Sequence, residues 1–190
     1  ALYAGYFQDR TFPQTDIDIA KREKRILEGI LNRIPHPVDY KPYPAIRYAD
    51  PDPILKIIPK LKNLRITGTH TDLRYLLHKY RIVITSRATS TICWCIMSEK
   101  PMVFIETGDG YALRKKAKKS FKKSLFYFEE KKKGFQKDIL QFLSQPIEEI
   151  ERQWHGKKSA RMRLINKFFS TPQTGAGYRA ANEITSSLNN

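Results

Sequence analysis

The apolar positions of this chain fall into short runs, several of them β-branched, separated by stretches of helical period. Ile82 to Thr85 and Met102 to Ile105, the latter introduced by Pro101, read as strands buried on both faces. Leu2 to Phe7, Val38 to Lys41 and Leu64 to Thr67 read as further strands, and Leu125 to Phe128 as a last edge strand. Asp16 can cap a helix running to about Ile34, with Ile19, Ile26, Leu27, Ile30, Leu31 and Ile34 on one face. Shorter helices are predicted at Ile54 to Leu61, at Leu73 to Tyr80 behind Thr71 and Asp72, from the hydroxyl cluster Thr89-Ser90-Thr91, and over Tyr111 to Lys123.

Strands separated by single helices imply right-handed crossovers and a parallel sheet, and strands apolar on both faces suit a sheet covered by helices. The expected fold is α/β: a Rossmann-like, doubly wound parallel sheet of about five or six strands over residues 1–129. A helical extension follows over 130–170, with helices at Lys132 to Ser144 and Ile147 to Phe169. The stretch 171–190, rich in Ser, Thr, Gly and Asn, reads as a loose tail.

Composition narrows the partners. At 190 residues and 41% hydrophobic, the chain can bury one sizeable core, alone or with a small appendage. Thirty-five Lys and Arg against 19 Asp and Glu give a net charge of +16, which favours phosphorylated or polyanionic partners or an anionic membrane surface. Cys93 and Cys95 are two residues apart, point in different directions on a helix, and read as buried reduced thiols. There is no apolar run of about 18 residues to span a membrane, and no leader pattern. The expected location is the cytoplasm, with the inner face of the plasma membrane as a second place to look. The opening ALYAGYF, already strand-like and without Met, is read as the start of a fragment whose N-terminal portion is missing.

In doubly wound sheets ligands sit beyond the carboxyl ends of the strands. Here those positions are polar and cationic: Gln8 to Arg10, Lys41 to Pro44, Gly68 to His70, Ser86 to Thr91, and Glu106 to Gly110. Hydroxyls at a strand–helix junction collect free N–H groups and the positive end of the helix dipole, so Thr89, Ser90 and Thr91 form a candidate phosphate site. The competing reading is that Thr89 or Ser90 simply caps its own helix. Lys41 and Arg87 are candidate phosphate cations, against a strand-end lysine and a solvated loop arginine. Tyr43 is a candidate for stacking on a base or ribose, against packing between its two prolines.

The order of these motifs resembles the C-terminal, donor-binding half of a GT-B-fold glycosyltransferase of bacterial surface-polysaccharide type, over roughly Leu2 to Phe128. The matching elements are Leu2-Tyr3-Ala4-Gly5-Tyr6, Lys41-Pro42-Tyr43-Pro44, Asp72-Leu73-Arg74-Tyr75-Leu76-Leu77, Tyr80 to Thr85, Ser90-Thr91, and Glu99-Lys100-Pro101-Met102-Val103, where the family reads Gly-Lys-Pro-Val. The same pattern is found in capsule sialyl- and Kdo-type transferases and in polymerases that use CDP-linked glycerol. The resemblance implies a CMP-, CDP- or UDP-linked sugar as substrate, its phosphate on Ser90 and Thr91, and Glu106 near donor hydroxyls. It further implies no resident cofactor or metal, a saccharide or lipid-linked acceptor, and a catalytic base in a missing N-terminal domain. Two departures bear on the site: Tyr43 replaces a His, and Arg81 replaces an Asp. His36 also lies between prolines but precedes its strand, at the opposite end of the sheet. A non-catalytic binding module with a degenerate nucleotide site is the alternative.

Seven of the ten residues from Arg114 to Lys123 are Lys or Arg, so a basic nucleic-acid-binding domain has to be weighed. Leu113, Ala117 and Phe121 keep an apolar stripe, which instead suggests a packed helix whose Lys115, Lys118 and Lys122 meet lipid head groups or a lipid-linked acceptor. Nucleic-acid readers lose further support from the lack of an RNP-like motif or zinc spacing. HExxH, GxSxG and GxxxxGK[ST] are also missing.

Overall fold

Every residue of Met102–Glu106 is buried, which requires a neighbouring strand on both edges and cover on both faces. The computed structural model describes residues 16–42, 52–86, 88–108, 113–169 and 175–188; of Asp16 and Ser90 it describes the backbone alone. Strands β1 (Val38–Tyr40) and β2 (Leu64–Ile66) pair in parallel, with Val38 opposite Leu64. Strands β3 (Val83–Thr85), β4 (Met102–Glu106) and β5 (Phe126–Glu129) form a second parallel sheet in that order, with Val83 opposite Met102 and Val103 opposite Phe126. The chain is thus α/β with parallel pairing throughout the described strands. Those strands lie in two small sheets, not the single larger sheet expected from sequence. The strand expected at Leu2 to Phe7 lies outside the described residues.

Helix α1 (Asp16–Gly29) precedes β1, α2 (Ser90–Met97) crosses from β3 to β4, and α3 (Lys115–Ser124) crosses from β4 to β5. Then come α4 (Phe135–Leu143), α5 (Ile147–Gly156), α6 (Lys158–Phe168) and α7 (Ala176–Leu188). Several expected helices are shorter or tighter than periodicity suggested; α1, expected to run to about Ile34, ends at Gly29 and gives way to a 3-10 turn at Leu31–Arg33. Pro59 has no N–H to continue an α-helix through Ile54 to Leu61, so that stretch forms two 3-10 turns, Pro53–Lys56 and Ile58–Lys60. Leu73 to Tyr80 likewise splits at Leu76, which lets the adjacent Leu76 and Leu77 both turn inward. The helix expected from Ile147 to Phe169 breaks after Gly156, where Arg161 Nη1 donates to the Trp154 carbonyl at the end of α5. Within the stretch read as a loose tail, α7 forms with all its residues exposed, its Thr185 and Ser187 hydroxyls donating back to Ala181 and Glu183 carbonyls at 2.9 Å.

One buried cluster runs from Leu27 and Ile30 of α1 through Val103 and Phe104 of β4 to Ile139, Ile150, Trp154 and Leu164. The helical extension therefore shares its core with the sheet. Trp154, 1% exposed, donates its indole N–H to the Glu99 carbonyl at 2.7 Å, and the Arg161 guanidinium lies 3.8 Å from the indole centroid. Glu99 has φ 57, a left-handed conformation that suits the glycine of the resembled motif. Arg81, the second departure, donates to Glu148 at 2.8 Å and to Glu151 at 2.5 Å, tying the entrance of β3 to α5. His36 sits at the amino end of β1, as expected, with Nε2 2.8 Å from the Gln145 carbonyl.

Glu23 of α1 is 1% exposed and accepts a hydrogen bond from the Tyr40 hydroxyl at 2.6 Å. Burial pushes its carboxyl from 4.5 up to about 7, and the tyrosine bond only partly opposes this. A folded-state pKa above the unfolded one adds stability below the unfolded value, and that stability is lost as pH rises through the folded value. Between pH 5 and pH 8 the wild type is therefore expected to lose about 2–3 kcal/mol relative to Glu23→Gln, whose side chain cannot ionise. Urea melts at the two pH values measure this, and a pH-independent difference between the two proteins would refute it.

Candidate functional site

At the carboxyl ends of the strands, backbone turns place side chains that the strands themselves cannot. Lys41 follows β1 and is half-buried, with Nζ donating to the Pro42 carbonyl at 2.5 Å. Burial holds its ammonium below the usual lysine range, with nearby Asp72 opposing. Gly68 follows β2 at φ 53; a Cβ there would meet Leu76 Cδ1 at 2.3 Å, so glycine allows the turn to close against Leu76. Ser86 follows β3, is 8% exposed, and its Oγ has no hydrogen-bond partner among the described residues. Lys41, Thr67, Thr85 and Ser86 line one cavity of about 600 Å³ between the two sheets.

Among the described side chains of the hydroxyl cluster, Thr89 does not cap α2. Thr89 is the N-cap residue, with extended backbone, but its side chain makes no capping hydrogen bond. Thr91 is half-buried in the first turn. The dipole of α2 therefore ends without a side-chain acceptor from its N-cap, four residues after a Ser86 hydroxyl that lacks a partner among the described residues. Arg87 and Tyr43 lie outside the described residues, and the Ser90 side chain is not described.

Glu106 ends β4 in register with Glu129 of β5, so two carboxylates lie side by side. Lys118 of α3 answers both, with Nζ 2.5 Å from Glu106 Oε2 and 3.1 Å from Glu129 Oε2, while Lys122 pairs with the other Glu129 oxygen. The Lys122 and Lys118 hydrogen bonds hold the Glu129 carboxyl below its ordinary value against burial. Glu106 is accordingly an ion-paired side chain, and two of the three lysines singled out on α3 point to its strand end. Lys115, by contrast, is exposed, as are Lys116, Lys119 and Lys123.

Sequence reasoning passed over the Ser86 hydroxyl and the Glu106–Lys118–Glu129 bridge. Ser86 was legible as a strand-end residue, but its burial was not. A signal for the bridge was present in the acidic pair Glu129-Glu130 ending a strand beside a lysine-rich helix. A larger open groove of about 1150 Å³ runs between α1 and α4 past Arg25, Arg33, Lys132 and Lys137, and none of the sequence-predicted site residues lines it. Among the described residues no cluster of three or more His, Cys, Asp or Glu could hold a metal ion, and no helix is long and apolar enough to cross a membrane. Comparison with protein-family models, curated proteins and solved structures finds no match to this chain.

Lys118→Met leaves two adjacent carboxylates with one lysine between them. It is expected to cost about 1–3 kcal/mol in urea unfolding, and the double variant Lys118→Met/Glu106→Gln should recover most of the loss. Equal instability of single and double variants would show that the bridge is not what stabilises this edge.

Proposed function

We propose that the carboxyl edge of the sheets binds the phosphate of a nucleotide-activated donor, as the donor half of a glycosyltransferase with a Rossmann-like sheet. The observation that carries this reading is the buried Ser86 Oγ, without a hydrogen-bond partner among the described residues, four residues before the first turn of α2, whose N-cap Thr89 makes no side-chain capping bond. A buried hydroxyl without a partner costs free energy that a bound phosphate oxygen would recover, and uncapped N–H groups add the same chemistry. Parallel strands, a helical crossover at this junction and a charge of +16 are all consistent with it.

On this reading Ser86, Thr91 and the backbone of the first α2 turn orient the phosphate, and Ser90 and Arg87 complete its shell. Lys41, with a depressed pKa, neutralises charge from the β1 side. Stabilisation of the leaving nucleotide then comes from hydrogen bonds and cations, and the base that activates the acceptor comes from another domain. The CMP-, CDP- and UDP-linked sugars remain the substrate class, in surface-polysaccharide synthesis on the cytoplasmic side. The exposed lysines of α3 support contact with an anionic lipid surface or a lipid-linked acceptor.

Calorimetry with CMP, CDP and UDP tests the site. Ser90→Ala/Thr91→Ala should weaken binding about ten-fold or more. Ser86→Ala should also weaken binding while leaving thermal stability unchanged or raised, because the hydroxyl it removes has no partner among the described residues. Unchanged nucleotide affinity in both variants, or no saturable binding of any of the three by the wild type, rejects the assignment.

The lipid contact has its own test. Lys115→Glu/Lys116→Glu/Lys119→Glu spares the two bridge lysines and should abolish cosedimentation with phosphatidylserine vesicles, each charge contributing about 1 kcal/mol at low salt. A wild type that ignores vesicles but binds nucleic acid with a steep salt slope would favour the nucleic-acid alternative instead.

A further inference from the structure

Where α4 packs beside α1, the two helices leave an open groove with cationic walls and an apolar floor. Arg25 Nη2 lies 3.5 Å from Glu130 Oε1, and Gln136 Nε2 donates to the Gly29 carbonyl at 3.0 Å, so the two helices advance in the same direction. A Cβ on Gly29 would stand 2.6 Å from Gln136 Nε2, so glycine is what lets the helices clasp here. The groove has a volume of about 1150 Å³, and Ile26, Ile30, Phe135 and Leu140 form its floor. Arg25 and Arg33 stand on one wall and Lys132 and Lys137 on the other, all four exposed. Among the described residues the one carboxylate in the lining is Glu130, which already has Arg22 Nε at 3.7 Å and Arg25 beside it. Lys132 lies 3.5 Å from Asp138, and Arg33 and Lys137 have no ion pair among the described residues.

We infer that this groove docks an acidic amphipathic helix of a partner protein, with apolar side chains on Ile30 and Leu140 and carboxylates on the four wall cations. The inference goes beyond the nucleotide site, none of whose residues lines the groove. Charge complementarity sets the sign of the partner. A second copy of this chain, at +16, would bring mostly cations to walls that are already cationic. The volume sets the scale: a helix about 10 Å across would occupy it over about 15 Å, or about ten residues at 1.5 Å each. Arg25 and Arg33 are eight residues apart, about 12 Å along a helix, so they suit carboxylates about two turns apart on the partner. The shape of the floor selects the chemistry. A bilayer surface is flat and cannot follow two helical walls down to Ile30. Nucleobases stack on exposed rings, whereas Phe135, the one ring in the lining, is 9% exposed. An apolar stripe laid between two helices is instead how amphipathic helices are held. The exposed pairs Arg25–Glu130 and Lys132–Asp138 contribute little to the fold, so a partner's carboxylates can replace them at small cost.

Selection of displayed random peptides, long enough for about three helical turns, on the intact chain tests it. Enriched sequences should carry apolar residues at helical spacing with Asp or Glu on both flanks. A synthetic peptide of the enriched sequence should gain helicity on binding and show NMR contacts to the Ile30 and Leu140 methyls. Arg33→Glu/Lys137→Glu alters two exposed positions and should leave the amide spectrum of the core unchanged. It should weaken that peptide at least about ten-fold, mainly through a slower association rate at low salt. No enrichment, enrichment of neutral or basic sequences, equal affinity for the charge-reversed protein, or contacts elsewhere on the molecule each overturn the inference. So does a response of the Ile30 and Leu140 methyls to phosphatidylserine vesicles or to an oligonucleotide but to no selected peptide, which would assign the groove to lipid or nucleic acid.

Discussion

The burial of β4 on both edges and both faces is the constraint from which the arrangement at the carboxyl edge follows. A five-residue strand with no exposed position must have β3 and β5 in register beside it and helices above and below. That register puts Thr85 opposite Phe104 and Glu106 opposite Glu129. The first pairing brings the end of β3, with Ser86 behind it, into the interior. The second creates a repulsion that Lys118 and Lys122 answer from α3.

The C-terminal helices are part of this core. Trp154 stabilises the turn between α2 and β4 by bonding the carbonyl of Glu99, a residue held in a conformation that glycine would adopt more easily. Arg81 ties the entrance of β3 to two glutamates of α5. Both positions differ from the motifs that the sequence resembles, and both now have structural partners. The Arg81 departure is thus accounted for by packing, without reference to a ligand.

At the candidate site the chemistry is divided. The α2 end combines a dipole whose N-cap Thr89 makes no side-chain capping bond with a buried hydroxyl, a combination suited to an anion. The β4 end is closed by its own ion pairs, which makes Glu106 a poor partner for donor hydroxyls unless Lys118 moves. The basic surface divides likewise, with some α3 lysines spent on Glu106 and Glu129 and the others exposed.

Element type and order were legible in the sequence because they depend on local period: β-branched runs at Ile82 to Thr85 and Met102 to Ile105, and the helical spacing of Ile19 through Ile34. The strand–helix junction at Thr89 to Thr91 was legible for the same reason. Helix ends were less so, since Pro59 and Gly156 act through hydrogen bonds that periodicity does not register. Only the tertiary structure decided which carboxylates stand side by side, which arginine holds α5, and that Ser86 is buried without a partner among the described residues. Those outcomes depend on strand register and on residues as distant in sequence as Arg81 and Glu151. No local pattern of apolar and polar positions specifies them, because each side chain finds its partner only when the strands are laid side by side.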